Sequence, residues 1–205
     1  DIHDATWGVA SAVYGGAGSG QGPMAESLPL QPRSPYAVTK LAGEHYSRVY
    51  WELHGLETVS LRYFNVYGPR QRPDSEYAAV IPLFVEALLQ RSDPHIHGDG
   101  RQSRDFTFVA DAVQANLRAA DAPAAACAGR AFNVARGEPA SLLDLLDILG
   151  AELGMTVTPT HGPPRPGDVR MARASGQEER GAEHEPERPV EHHMACVGRK
   201  ATVGP

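Results

Sequence analysis

Apolar and polar positions alternate at helical spacing over one long segment in the first third of the chain. Ser34 and Pro35 open this segment as a helix N-cap and first helical residue, and Gly55 ends it. The apolar and aromatic positions that recur at helical spacing are Tyr36, Leu41, Tyr46, Val49, Tyr50 and Leu53. This pattern predicts a helix over residues 35–54.

Short apolar runs alternate with further helical patterns along the rest of the chain. Residues 57–63 are rich in Thr, Val and Leu and predict a buried strand directly after the first helix. The remaining predicted elements are a helix over about 76–90, strands near 95–97 and 105–109, an Ala-rich helix over 110–121, a strand over 131–135 and a helix that Ser141 caps. Helices that alternate with strands predict an α/β protein with a parallel sheet.

The periodic pattern ends near residue 170. Residues 171–205 are charged, rich in Glu, Arg, Gly and Pro, and show neither helical nor strand spacing. Such a segment buries too little apolar area to offset the entropy that is lost on ordering. We therefore expect a disordered tail over residues 171–205.

Composition and charge argue against several classes of protein. Of the 205 residues, 41% are hydrophobic and 21% are charged, which is ordinary for a globular domain. The net charge of -6 argues against nucleic acid as a partner. No run approaches the roughly 18 apolar residues of a membrane helix. Cys127 and Cys196 lack metal-ligand spacing and the nine His are scattered, so we expect a reduced, cytoplasmic protein without a metal site or a membrane contact.

Tyr36 and Lys40 are the first candidates for chemistry. Residues four apart lie on one face of a helix, so the two side chains are expected to be neighbours. An ammonium beside a phenol stabilises the phenolate, and such a tyrosine can take a hydroxyl proton while a hydride leaves the same carbon. Alone, the spacing is more often a chance pair on a solvated helix, so the surrounding sequence decides between the two interpretations.

Five motifs in order along the chain supply that surrounding sequence. They are Ala12-Val13-Tyr14-Gly15 with Ser34-Pro35-Tyr36-Ala37-Val38-Thr39-Lys40-Leu41-Ala42-Gly43-Glu44; Leu61-Arg62-Tyr63-Phe64-Asn65-Val66-Tyr67-Gly68-Pro69-Arg70; Gly98-Asp99-Gly100 with Ser103-Arg104-Asp105-Phe106; Phe132-Asn133-Val134; and Arg165-Pro166-Gly167-Asp168-Val169. In this order and spacing, the chain resembles the extended short-chain dehydrogenase/reductase family, and within it the NAD-dependent epimerases and dehydratases.

The resemblance implies an NAD-bound enzyme that acts on a UDP-linked sugar. It assigns Tyr36 as the acid/base and Lys40 as the residue that holds the nicotinamide ribose. The family's usual catalytic hydroxyl position is Ala10 here, so Ser11 is the candidate for that role. The residues implied in cofactor binding are Tyr36, Lys40, Tyr63 and Phe64, and those implied in substrate binding are Asn65, Val80, His97, Arg104 and Asp168.

The resemblance also implies the fold and its division. We expect the C-terminal half of a doubly wound, Rossmann-type parallel sheet together with a small α/β substrate-binding region. Residues 1–65 are expected to form part of the NAD-binding region with the Tyr/Lys helix. Residues 66–170 are expected to bind the nucleotide-sugar between returning strands of the sheet. Members of the family commonly dimerise through a four-helix bundle that includes this helix, so a homodimer is expected as well.

Departures from the family pattern leave other functions open. No glycine-rich turn of the kind that cradles the NAD pyrophosphate precedes Tyr14. A truncated chain, acting as a non-catalytic fragment or pseudoenzyme that binds a nucleotide or a partner, is therefore one alternative.

The type of reaction is indicated by two further stretches. Residues 10–13 lack the Asp-Glu pair of sugar 4,6-dehydratases, whereas residues 77–82 look most like those of UDP-hexose and UDP-N-acetylhexosamine 4-epimerases. We therefore expect a 4-epimerase, with UDP-sugar decarboxylase or reductase activity as the alternatives. Ala172 falls near the family position that walls the sugar pocket, and its small side chain is expected to leave room for an N-acetyl group.

Overall fold

A computed structural model describes residues 7–10, 24–32, 34–74, 80–164 and 171–172. The helices are α1 (Pro35–His54), α2 (Val80–Leu89), α3 (Val109–Asp121), α4 (Ala124–Cys127) and α5 (Leu142–Leu153). The strands are β1 (Trp7–Ala10), β2 (Val59–Tyr63), β3 (Val66–Tyr67), β4 (His95–His97), β5 (Ser103–Asp105), β6 (Thr107–Phe108), β7 (Arg130–Val134), β8 (Pro139–Ser141), β9 (Thr160–Gly162) and β10 (Met171–Ala172).

The main sheet has three parallel strands in the order β1-β2-β7. Its central strand β2 is buried over its first four residues, as expected for a parallel strand that is covered on both faces. On one face, Val59 and Leu61 pack into a core with Ala115 and Ala119 of α3. The small alanine side chains let the helix lie close to the sheet.

Helix α1 covers the opposite face of β2. Its N-cap is Ser34, whose side chain accepts a hydrogen bond from the Ala37 backbone N–H at 3.1 Å, and it ends at Gly55 in the left-handed region with φ of 66°. At the start of β2, the Thr58 hydroxyl donates to the Ser47 carbonyl at 2.7 Å. Ala37 and Ser47 are the buried residues of α1, so most of this helix presents its surface to solvent.

A second core lies beside the main sheet, between α2, α5 and β4. It is formed by Phe84, Ile96, Leu142, Leu145 and Leu146. Strand β4 pairs in parallel with β9, and β5 pairs with β8 and β10 in a separate three-stranded sheet. The two cores are joined through β3 and β6, which form a parallel two-stranded pair directly after β2.

The expected fold class is confirmed, since helices alternate with parallel strands. Helix α1 has the predicted bounds, and Ser141 caps α5 as predicted, with Asp144 completing a capping box. The strand predicted near residues 105–109 is confirmed at Thr107–Phe108, but its bounds are wrong because the chain there forms two strands and the start of a helix. The chain changes partner at Phe106: β5 pairs with β8, β6 pairs with β3, and Val109 already begins α3.

The tail predicted from residue 171 onward is also wrong at its first two residues. Met171 and Ala172 form β10, which pairs in parallel with Ser103 and Arg104 of β5. The pairing gives their backbone groups hydrogen-bond partners that a composition-based prediction does not foresee. Residues 173–205 lie outside the described residues, as do residues 75–79 at the predicted start of α2.

Candidate functional site

A cleft of about 540 Å³ opens beside the second core and is lined by four of the predicted substrate-binding residues. Asn65 comes from the turn after β2, Val80 from the start of α2, His97 from the end of β4 and Arg104 from β5. The apolar part of the wall includes Ile81, Leu83, Phe84, Ala87, Ile96, Phe106 and Leu142. The cleft therefore combines one guanidinium and several polar groups with a mainly apolar surface.

Asn65 is held in place by the backbone around it. Its φ of 31° falls in the left-handed region, which asparagine tolerates better than most residues. Its side-chain Nδ2 donates to the Asp105 carbonyl at 3.0 Å, and its own carbonyl accepts from the Thr107 backbone N–H at 3.3 Å. Because Nδ2 donates to a carbonyl, the side-chain oxygen of Asn65 is the atom that can accept a further hydrogen bond.

Asp105 connects several parts of the cleft. The residue is fully buried, and its two carboxylate oxygens accept from the backbone N–H groups of Arg136 and Gly137, each at 2.9 Å. Its neighbour Arg104 is half-buried, and the Arg104 Nη1 donates to the Ser103 carbonyl at 2.9 Å. Asp105 therefore fixes the strand that presents Arg104 and, through its carbonyl, the amide of Asn65.

Three histidine side chains link β4 to β9 and to the residues that follow it. His95 Nδ1 lies 3.0 Å from the Thr160 hydroxyl oxygen, His97 Nδ1 lies 3.3 Å from the Pro163 carbonyl, and His161 Nδ1 lies 2.8 Å from the Gly98 carbonyl. A carbonyl only accepts, so these two contacts are hydrogen bonds when Nδ1 of His97 and of His161 carries a proton. The His97 side chain also lines the cleft.

Tyr36 and Lys40 lie at the beginning of α1, and neither lines this cleft. Tyr36 is 42% exposed, and the Lys40 ammonium lies 5.2 Å from the centre of its ring. This is a cation–π distance, so the four-residue spacing does bring the two groups together. The acid/base role of Tyr36 and the role of Lys40 beside it stay predictions.

Tyr63 and Phe64 have their side chains in the interior. The Tyr63 hydroxyl accepts from Asn116 Nδ2 at 2.6 Å, and burial raises the pKa of Tyr63, an effect that the Asn116 hydrogen bond partly opposes. Phe64 is 1% exposed, and its backbone N–H donates to the Val134 carbonyl at 3.0 Å. Their predicted contact with NAD stays a prediction, and for Phe64 it would have to be made by the backbone.

Ser11 and Asp168, two further predicted site residues, lie outside the described residues. Ala172, predicted to wall the sugar pocket, pairs through its backbone with Arg104, so the chain returns to the cleft at this point. Asp105 was missed as a site residue although it follows Arg104 in a motif that carried the resemblance. Its burial and its hydrogen bonds with the backbone of Arg136 and Gly137 become visible only in the folded chain.

No helix in the described parts of the chain is long and apolar enough to cross a membrane. Within those parts there is also no group of three or more His, Cys, Asp or Glu side chains that could hold a metal ion.

Comparison with known proteins gives a consistent result. Residues 6–135 match the model of the NAD dependent epimerase/dehydratase family. The UDP-glucose 4-epimerase of Mycolicibacterium smegmatis is 42% identical over 151 residues, which are 74% of this chain and 47% of that protein. The chain thus spans about half the length of the curated relatives it matches.

Solved structures of relatives have the same fold. The UDP-N-acetylglucosamine 4-epimerase of Methanobrevibacter ruminantium M1, in complex with UDP-N-acetylmuramic acid, superposes with a TM-score of 0.77 at 39% identity, over 83% of this chain and 53% of that one. The UDP-glucose 4-epimerase of Thermus thermophilus, in complex with NAD, superposes with a TM-score of 0.72 at 35% identity, over 83% and 55%. Sequence, fold and the position of the motifs agree, and the chain belongs to the NAD-dependent epimerase/dehydratase family.

Proposed function

We propose that this chain carries the acid/base tyrosine and the substrate cleft of an NAD-dependent UDP-sugar 4-epimerase. The observation that supports the proposal is the convergence of Asn65, Val80, His97 and Arg104 on one cleft. These residues come from four different elements, and the family resemblance implies substrate binding for each of them. A chance arrangement of family-like residues has no reason to share one cavity.

The cleft has the size and the chemistry for a nucleotide-sugar. Its volume of about 540 Å³ lies in the range of small-molecule sites, roughly 300–1,000 Å³. The Arg104 guanidinium suits a diphosphate because its planar fork donates two hydrogen bonds at once. Asn65 and His97 add polar groups at the wall, while Phe84, Ile96 and the other apolar residues suit a flat base.

The Tyr36–Lys40 pair suits the redox half of the reaction. Its exposure leaves the phenol accessible, and the adjacent ammonium gives a cation to hold a ribose hydroxyl, so the pair fits the nicotinamide end of NAD. Bound NAD supplies the acceptor and donor of hydride at the sugar carbon. Tyr36 takes the proton of the C4 hydroxyl and returns it, and Lys40 stabilises the phenolate while the proton is away. When bound, NAD would allow inversion at C4 because it could take the hydride from one face of the sugar and return it to the other.

The alternatives within the family are less well supported. A 4,6-dehydratase needs carboxylates near residues 10–13, and this stretch has none. Decarboxylase and reductase activities share the Tyr/Lys pair and stay alternatives for the assay. The proposed substrates include UDP-N-acetylglucosamine as well as UDP-glucose, because the small side chain of Ala172 is expected to leave room for an N-acetyl group. The cytoplasmic location expected from the cysteines stays a prediction.

Calorimetry with UDP and with NAD, on separate samples of the purified chain, tests the binding part of the proposal. We expect UDP to bind, and Arg104→Met to weaken UDP about 10- to 100-fold because a charged hydrogen bond contributes roughly 1.5–3 kcal/mol. Arg118→Met is the matched control, since Arg118 is exposed on α3. Equal losses in both variants would contradict a diphosphate site at Arg104. UDP binding without NAD binding would favour the non-catalytic alternative.

A turnover assay tests the chemical part. We expect C4 epimerisation of UDP-glucose or UDP-N-acetylglucosamine, and a loss of at least about 100-fold in kcat for Tyr36→Phe, which removes the proton-transfer group. UDP affinity should not change in this variant because Tyr36 does not line the cleft. Full activity of Tyr36→Phe, or its loss of UDP binding, would contradict the assignment.

We also propose that α1 mediates a homodimer. Tyr46, Val49, Tyr50 and Leu53 lie along one side of α1 at helical spacing, and each is between 39% and 71% exposed. An apolar stripe of this length on a surface helix is typical of a helix–helix interface. Sedimentation equilibrium should show a dimer that Leu53→Glu dissociates, while Leu117→Glu on α3 leaves it intact. A monomeric wild-type chain would contradict the proposal.

A further inference from the structure

A buried ion pair ties α1 to the centre of the main sheet. Arg62 of β2 contacts Glu44 of α1 through both ends of its guanidinium: Nε donates to Oε2 at 2.9 Å and Nη2 contacts Oε1. The side chains are 4% and 12% exposed, so both charges are largely withdrawn from water. Each oxygen of the carboxylate is thereby occupied by the same arginine.

Glu44 shares a helix face with the pair that the proposed chemistry uses. Tyr36, Lys40 and Glu44 follow one another at four-residue spacing, which stacks them along one side of α1. Lys40 therefore lies between a phenol and a carboxylate, one helical turn from each. Lys40 leans over the Tyr36 ring at 5.2 Å, whereas Glu44 is paired with Arg62.

We propose that Arg62 is a positioning residue that holds the Glu44 carboxylate away from Lys40 and so keeps the Lys40 ammonium at Tyr36. A largely buried carboxylate that loses its arginine takes another cation, because an unpaired charge in this environment is costly. Lys40 and Arg48 are both one turn from Glu44, but Arg48 is exposed and paired with Glu52 at 3.4 Å. Lys40 is thus the cation that Glu44 captures when Arg62 is removed.

Arg62 also has a purely structural contact, which the test has to separate from this role. Its Nη1 donates to the Glu26 carbonyl at 3.2 Å. On the next strand, Asn133 is the register partner of Arg62 and anchors the same segment: its Nδ2 donates to the Met24 carbonyl at 2.8 Å. Asn133 is 2% exposed. Asn133→Ala is therefore a matched control that loosens this segment without releasing Glu44.

The sequence makes a direct observation of Lys40 practical, because the chain contains two lysines, Lys40 and Lys200. Reductive ¹³C-methylation keeps the ammonium charge and adds an NMR signal at each lysine and at the α-amino group. Lys200→Arg removes the signal of the second lysine, and Lys40→Arg identifies the signal of Lys40 by its loss. In the wild-type chain the ring current of Tyr36 should displace this signal from that of a free dimethyl-lysine.

Arg62→Met should remove more than roughly half of that displacement, because Lys40 turns from Tyr36 to Glu44. The double variant Arg62→Met/Glu44→Gln should restore it, since no carboxylate remains to capture Lys40, and Asn133→Ala should retain it. Arg62→Lys provides a gentler change where Arg62→Met does not fold, with a smaller loss expected. A folded Arg62 variant with the wild-type Lys40 signal would overturn the proposal. A double variant that does not recover the displacement of the Lys40 signal would overturn it as well, because both results indicate a structural role alone.

The consequence for turnover rests on the proposed function, but the NMR measurement does not. With an active wild-type chain, kcat should fall in Arg62→Met and recover in the double variant. An inactive wild-type chain with the expected NMR pattern would refute the epimerase proposal and leave the role of Arg62 standing. An active wild-type chain whose Lys40 signal does not change in Arg62→Met would refute the role of Arg62 and leave the epimerase proposal standing.

Discussion

The cleft and the Tyr36 end of α1 are built in opposite ways. Tyr36 and Lys40 are neighbours because a single helix places residues four apart on one face. Asn65, Val80, His97 and Arg104 come from four separate elements and meet only because the two cores and the sheets around them bring those elements together. The pair therefore depends on local geometry, whereas the cleft depends on tertiary structure.

Strand β2 joins the two regions within a few residues. Arg62 bonds to α1, Tyr63 points to α3, and Asn65, just after the strand, lines the cleft. A change in the tertiary contacts around the cleft should reduce UDP binding and leave the Tyr36–Lys40 contact intact. Substitutions beside the cleft, in the two cores and at the cap of α5 test this difference.

Asp105→Ala should have the largest effect. It removes the acceptor of two backbone N–H groups at a fully buried site, and each unsatisfied group costs roughly 1–3 kcal/mol. We expect the free energy of unfolding to fall by about 4 kcal/mol and UDP binding to be lost, with the Lys40 NMR signal unchanged wherever the variant is folded. Urea denaturation measures the free energy of unfolding, and calorimetry measures UDP binding. Asp121→Ala, at the exposed end of α3, is the control; an Asp105 effect no larger than this control would refute the assignment.

Leu61→Ala and Leu146→Ala compare the two cores directly. Leu61 is 0% exposed beneath the sheet and Leu146 is 2% exposed beneath the cleft, so each truncation should lower the free energy of unfolding by about 3 kcal/mol. Leu146→Ala should also weaken UDP binding at temperatures where the chain is folded, because Leu146 packs with Phe84 and Ile96 of the wall. Leu61→Ala should not. Leu117→Ala, 54% exposed on α3, sets the baseline. The same UDP affinity in both core variants would contradict the separation of the two regions.

Ser141→Ala should have the smallest effect, a loss of about 1 kcal/mol in the free energy of unfolding, since it removes one half of the α5 capping box. Asp144 forms the other half. Hydrogen bonds from the Ser141 side chain and backbone lower the pKa of Asp144 below its ordinary value of 3.8. The contribution of Asp144 to the free energy of unfolding is therefore present above pH 3.8 and is lost as the pH falls through the lower pKa of the folded state. The stability difference between wild type and Asp144→Asn should shrink from about pH 7 to about pH 2; a constant difference would refute this cause.

The sequence predicted the elements that local patterns determine. The bounds of α1, the Ser141 cap and the Tyr36–Lys40 contact follow from capping chemistry and helical spacing, which act within a few residues. The partner change at Phe106 and the strands β8, β9 and β10 were not predicted. Each of these strands is two or three residues long and exists because of a distant partner, so no periodic pattern marks it.

The candidate site divides in the same way. Motif order supplied Asn65, Val80, His97 and Arg104 as separate expectations, and only the folded chain shows that they share a cleft. Two residues that support the site were missed. Asp105 supports the cleft through buried contacts with backbone groups, and Arg62 pairs with a carboxylate of α1 that is 18 positions away. Such pairings leave no signal in one sequence.

The pairing of β4 with β9 determines when the cleft can exist at all. His95 and Thr160 are 65 positions apart, and the chain between them forms β5, β6, α3, α4, β7, β8 and α5. Closing so long a loop costs entropy that is recovered only once those elements have packed. On a ribosome, β4 therefore cannot pair with β9 until nearly all of this region has emerged, whereas the helix that carries Tyr36 can form as soon as its own residues are free.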